Sequence, residues 1–282
     1  MLESLLYTVL SYISDVLLLS AEQLLLLFGP FLVLAVLMNA ISRNAQNLGF
    51  DFFGRNIFLY GIAWLGVSIH EIGHAIFIFI FRHKIHEIVL FSPKEDGTLG
   101  YVTHSYNKKN PYQNIGNFFI GIGPIIFGSI LLYILMYFFL GVNVVSRLDV
   151  DITKLGNLED VKTSLKTLLY GTDYIWKEIH QHFIVNPWLT SLFIFLFYSI
   201  GSSMSLSQLD IEGSKKGFWA FVILVLTVNV ATLWFADFSS GIVLFIRNYI
   251  SVIYPILILS IILNLVFTVI LFVLSFIKNV LF

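Results

Sequence analysis

Long apolar runs alternate with short polar segments along the whole chain. Six of the runs are long enough to read as membrane spans, at about 24–41, 57–81, 115–140, 189–206, 218–235 and 250–277. Residues 1–27 are apolar but interrupted by Glu3, Asp15 and Glu22, and they lack the basic start and small-residue cleavage site of a removable signal peptide. They are expected to form an interfacial helix ahead of the first span, in which Gly29 and Pro30 are expected to make a kink. The polar stretch from Ser42 to Arg55 then links to the second run.

The pattern changes after Phe81. IHEIVLF and GTLGYVTHSY alternate apolar and polar positions with a period of two, and SPKEDG between them has turn chemistry. A β-hairpin is expected, attached directly to the end of the second span. The third span opens NIGNFFIGIGPIIFGS, whose glycines and serine allow helices to approach closely and whose Pro124 loosens the backbone. Residues 141–187 are polar and amphipathic, with helical pieces expected on the membrane surface. His180 and His182 lie two apart, which points them to different sides of a helix, and they are read as surface residues. The last two spans carry no ionisable group in their apolar bodies and are expected to pack or face lipid.

Composition agrees with this pattern. Mean hydropathy is +0.89, 58% of residues are hydrophobic and 12% charged, values that point to a polytopic membrane protein; with the pattern above, the expected fold is all-α, with about six transmembrane helices and a small membrane-associated β-hairpin. A formal net charge of −1 offers no basic field for nucleic acid. There is no cysteine, so any metal must be held by His, Asp or Glu.

The chemistry sits inside the second apolar run, IFLYGIAWLGVSIHEIGHAIFIFIF, which carries His70, Glu71 and His74. Ionisable side chains are costly in hydrocarbon and mark a site, a polar cavity or a bound ion. His-Glu-x-x-His puts two imidazoles one helical turn apart on one face, where both can bind one Zn2+, and leaves the glutamate beside the activated water as general base. With seven histidines and eight glutamates in the chain, an accidental match is expected about once in two hundred such sequences. The alternative is a pair of helix histidines hydrogen-bonded to neighbouring helices, with Glu71 paired to a cation.

A catalytic zinc usually takes a third protein ligand. Phe77 and Ile80 occupy the places of the glycine and third histidine of the extended soluble pattern, and Glu95 falls in the SPKEDG turn. Asp210 and Glu212 follow the fourth span. Counting crossings brings the end of that span to the hairpin side, from which Asp210 can fold in toward the two histidines. A helix-capping role for this carboxylate, near Lys215 and Lys216, is the competing reading.

HEIGH in a membrane helix, a hairpin-like segment after it, Gly-Pro in the next span and an aspartate near the end of the following one resemble the site-2 protease family of intramembrane zinc metalloproteases. The resemblance spans roughly 57–217. It implies that His70, His74 and Asp210 bind zinc, that Glu71 is the catalytic base, and that the active site opens toward the cytosol within a core of three spans. The basic residues divide equally between the two sides, but those on the hairpin side lie nearer span ends, which tilts the hairpin to the cytosol. The chain then divides into an N-terminal interfacial helix and first span (1–56), a protease-like core with hairpin and polar loop 141–187 (57–217), and C-terminal membrane helices (218–282).

This chain departs from the family pattern. Aligned on Asp210, the usual asparagine and proline fall at Ser202 and Ser205, Ile211 and Glu212 intervene before Gly213, and Phe127 stands where an asparagine usually follows Gly-Pro. A side-chain amide that orients substrate is therefore missing unless Ser202 substitutes. The serines at 202, 203, 205 and 207 are candidates to line a water path. The expected function is hydrolysis of a peptide bond in or near a transmembrane segment of a membrane-protein or membrane-peptide substrate within the lipid bilayer, with a regulatory membrane partner as a further expectation and no nucleic acid. Two other readings stay open: a catalytically inactive relative that acts as a partner-binding or chaperone subunit, and a transporter using the same three residues as a transient metal site.

Overall fold

The computed structural model describes residues 2–141, 158–233, 241 and 253–281. In chain order the elements are α1 (Leu2–Phe53), α2 (Arg55–Phe58), a π-helical turn (Leu59–Ala63), α3 (Trp64–Ile80), β1 (Lys84–Val89), β2 (Tyr101–Ser105), α4 (Pro111–Leu140), α5 (Leu158–Val185), α6 (Pro187–Ser203), α7 (Gln208–Thr232) and α8 (Ile253–Leu281). Among the described residues, five helical segments are long and apolar enough to cross a membrane: Glu3–Phe53, Arg55–Ile80, Pro111–Leu140, Gln208–Thr232 and Ile253–Lys278.

Three expectations need correction. Residues 2–53 form one helix, not an interfacial helix followed by a span and a polar link; Pro30 sits inside it and the break comes at Gly54, where φ is 82°. Packing overrides the local signals. Phe28, Phe31, Ala35 and Met38 bury one stripe in the main core, and Gly49 on the polar part lies so close to Phe58 that a β-carbon there would collide with its ring. At 52 residues, α1 is about 78 Å long. Second, the fourth apolar run, expected as a span at about 189–206, forms the 17-residue helix α6, about 26 Å long, which falls short of the roughly 30 Å of a bilayer core. Third, the chain reverses at Met204–Leu206, so Asp210 lies in the first turn of α7 and not at the end of the fourth span. Within the polar segment 141–187 the described residues form α5 up to Val185, while 142–157, 234–235 and 250–252 of the expected elements fall outside the described residues.

The main core gathers side chains from α1, α3, α4, α5, α6 and α8. Phe28 meets Phe118 edge-on at 5.0 Å between ring centres, and also Phe218 and Phe221 of α7. The first half of α1 and the end of α7 are tied by buried polar groups as well, since the Asn229 amide donates to Ser20 Oγ and Gln23 Oε1 at 2.8 and 2.9 Å.

The hairpin forms as expected. β1 and β2 pair antiparallel from Lys84 with Ser105 to Val89 with Tyr101, with an irregularity between Ile85 and Glu87. Its turn carries Gly97 at φ 91°, and the Asp96 carboxylate accepts the Thr98 N–H at 2.9 Å. The hairpin folds back along α3: Phe91 and Leu99 pack with Phe58, Leu59, Ala63 and Val67, and the Arg55 guanidinium donates to the Lys94 carbonyl. Its far end therefore lies near the beginning of the helix it follows.

Candidate metal centre

The site is assembled where α3, α4, α6 and α7 meet, and small residues permit the meeting. A β-carbon on Gly66 would collide with the Ser199 carbonyl and the Ser203 hydroxyl of α6, and one on Gly73 would lie 2.7 Å from Pro124 Cα of α4. On α4, Gly121 presses against the Ser214 hydroxyl and the Asp210 carbonyl of α7, and Gly217 of α7 presses against the backbone of Asn117 and Phe118. The glycines expected to allow close approach in the third span do so here. The Ser199 hydroxyl also donates to the Ile62 carbonyl of the π-helical turn at 2.6 Å, which fixes α6 against the entry to α3.

His70 and His74 project from one face of α3, and each ring is held by a carbonyl from a different helix. His74 Nδ1 lies 2.8 Å from the Ile120 carbonyl of α4. In a regular helix that carbonyl would accept the N–H of residue 124, but residue 124 is proline and has none, so the acceptor is free for histidine. His70 Nδ1 lies 2.6 Å from the carbonyl of Ser203, the last residue of α6, which has no helical partner because the helix stops there. A carbonyl only accepts, so both Nδ1 atoms carry a proton, and each ring in its neutral form turns an Nε2 lone pair inward.

The two Nε2 atoms are 3.1 Å apart. Asp210 Oδ1 is 3.0 Å from His74 Nε2, and Asp210 Oδ2 is 3.6 Å from His70 Nε2. With both rings neutral these are three acceptors with no donor among them, an arrangement that a cation resolves. Taking one ligand atom from each side chain, the three lie within 4.8 Å of one another, close enough to hold a single ion. The donor set of two imidazoles and one carboxylate is borderline in character and suits zinc among the divalent ions.

Asp210 is placed by the start of α7. The Ser207 hydroxyl accepts the Asp210 N–H at 3.1 Å, and Asp210 Oδ2 accepts the Ser207 N–H at 2.7 Å, a reciprocal cap. The capping role and the metal-facing role, alternatives on sequence grounds, coexist in one carboxylate.

Glu71 is 7% exposed and stands between the histidine pair and the hairpin, where a β-carbon on Gly100 would lie 2.8 Å from its Cγ. Together these groups border a cavity of about 560 Å³, walled on one side by residues 96–102 and His104 of the hairpin. Ser203, Ser205 and Ser207 line it as expected. Ser202 does not: it is buried and its hydroxyl donates to the Ser199 carbonyl of its own helix at 3.1 Å, so it supplies no substitute amide. Glu95 is exposed in the hairpin turn, away from the centre.

Two lining residues escaped sequence reasoning. Asn117, 8% exposed, borders the cavity one turn before Gly121, with its amide donating to its own helix at 3.2 and 3.4 Å. His104 borders it from β2. The glycine spacing of α4 marks the face on which Asn117 lies, whereas nothing local in GTLGYVTHSY distinguishes His104. Comparison with family models, with curated proteins and with solved structures finds no match for this chain.

Proposed function

We propose that the protein is a polytopic membrane zinc metalloprotease of site-2 protease type that hydrolyses a peptide bond in or near a transmembrane segment of its substrate. One observation carries the reading: the ligand atoms of His70, His74 and Asp210 converge, with each imidazole oriented by a carbonyl, beside a buried Glu71. The apolar helices and the large apolar side chains on the exterior, among them Phe79, Phe138 and Trp219, support membrane residence.

Bound zinc supplies Lewis acidity, polarising a peptide carbonyl and bringing the pKa of water toward neutrality. Glu71 takes a proton from the attacking water and returns it to the leaving nitrogen as the C–O bond forms and the C–N bond breaks. Among the described residues β2 pairs with β1 on one side only, and its residues border the cavity, so an extended segment of substrate can join as a further strand with its scissile amide near Glu71. Such a segment must first leave its helix, whose own hydrogen bonds shield its amides. The serine hydroxyls at 203, 205 and 207 add to the polar lining that gives water a path to the site. We further propose that the cavity opens to the cytosolic side and that a membrane partner regulates access to it.

The test is metal content of detergent-purified protein together with cleavage of single-span membrane peptides. About one zinc per chain is expected in the wild type, lost in His70→Ala and His74→Ala and kept in Glu71→Gln, which cleaves nothing. Metal-replete, folded wild type without zinc overturns the reading. A second reading, a non-catalytic partner-binding protein on the same scaffold, is favoured by the inward hydrogen bond of Ser202, which leaves the expected amide unreplaced. It predicts that Glu71→Gln changes no property of the protein.

A further inference from the structure

His104 on β2 has no part in holding the metal group, yet its ring borders the same cavity as Glu71, His74 and Asp210. Its environment specifies which of its nitrogens is available. His83, 7% exposed, sits between the end of α3 and the start of α4 with Nε2 2.9 Å from the Gln113 carbonyl, so His83 Nε2 carries a proton. A neutral His83 then has a lone pair on Nδ1, and the atom 3.0 Å away is His104 Nδ1, which must be the donor. Tyr106 stacks on the His83 ring at 4.9 Å and 17°, holding the chain of contacts in place.

The remaining nitrogen, His104 Nε2, is left as an acceptor, and it has no protein partner among the described residues. We propose that His104 is a substrate-binding residue of the site, whose Nε2 accepts a hydrogen bond from a backbone N–H of the peptide in the cavity. This inference rests on the protease reading and adds to it a specific contact on the hairpin wall. A role as proton donor to the leaving amine is disfavoured, because burial and the neighbouring His83 push the His104 ring down to about 4 and keep it neutral near pH 7.

The test uses the full zinc-loaded chain in detergent and a peptidyl hydroxamate as probe, with acetohydroxamate, which chelates zinc but has no peptide backbone, as control. His104→Phe is expected to bind the peptidyl hydroxamate roughly three- to tenfold more weakly, while His104→Gln, which returns an acceptor near the Nε2 position, binds within about twofold of wild type. Acetohydroxamate and zinc bind all three alike. Equal affinity of His104→Phe and wild type for the peptidyl probe overturns the inference and leaves the protease reading standing, as does equal weakening in the Phe and Gln variants. Zinc-loaded wild type that binds neither hydroxamate overturns both. Nitrogen-15 chemical shifts of the wild-type histidines supply a check independent of any variant: a proton on His104 Nε2 at pH 7 overturns the inference.

Discussion

His74 Nε2 lies 3.0 Å from Asp210 Oδ1, and the other oxygen of that carboxylate accepts the Ser207 N–H at 2.7 Å. One side chain therefore caps α7 and faces the candidate metal. The two roles separate by mutation. Asp210→Asn keeps an oxygen for the cap but removes the charge, and Asp210→Ala removes both. Metal-free Asp210→Ala is expected to be about 1 kcal/mol less stable than Asp210→Asn, whereas both lose zinc in a chelator competition. Equal stability of the two apo variants argues against the cap.

Pro124 acts on the site without touching metal. Pro124→Ala restores an N–H that competes with His74 Nδ1 for the Ile120 carbonyl. Zinc affinity is expected to fall roughly 10- to 100-fold with α4 retained, read by chelator competition and circular dichroism. Unchanged affinity means that His74 is oriented by something else.

Gly121 and Gly213 offer a paired test of helix approach. A β-carbon at Gly121 meets the Ser214 hydroxyl and lies 2.7 Å from the Asp210 carbonyl, but one at Gly213 meets nothing within 4 Å. Gly121→Ala is expected to push α7 away and weaken zinc binding. Gly213→Ala should bind zinc normally and melt slightly higher, because alanine favours the helix by about 1 kcal/mol.

Acidification reads out the hairpin root. Burial lowers both His83 and His104 from their ordinary value, His104 to about 4, with His83 contributing to the shift at His104. Because the folded-state values lie below the unfolded one of about 6.5, the unfolded chain binds protons first, so this pair loses stabilising effect as pH falls from about 6.5 toward 4 and is indifferent above 7. Nuclear magnetic resonance titration of labelled histidines should give His104 a midpoint near 4. A midpoint near 6.5 contradicts its burial and its contact with His83.

Much of the site was legible in the chain itself, because its signals are local. The two histidines and Glu71 share a helix, so their relation follows from helical periodicity alone, and the hairpin follows from alternation around SPKEDG. Counting crossings brings Asp210 to the two histidines, where the structure also has it, but by an inexact path: the fourth run stops after 17 residues and the aspartate lies in the first turn of a new helix. The unbroken course of α1 past Ser42 was not legible, since long-range packing outweighs the local polar signal there.

The sequence by itself determined an apolar helical chain, a hairpin after α3 and a two-histidine, one-glutamate constellation, since each depends on residues within a few turns of one another. Only the tertiary structure decided which acceptors turn each imidazole, that Ser202 looks away from the cavity, and that His104 looks into it. Those outcomes depend on how closely α3, α4, α6 and α7 cross at Gly66, Gly73, Gly121 and Gly217, and a crossing distance is a property of two surfaces together, written in neither segment alone.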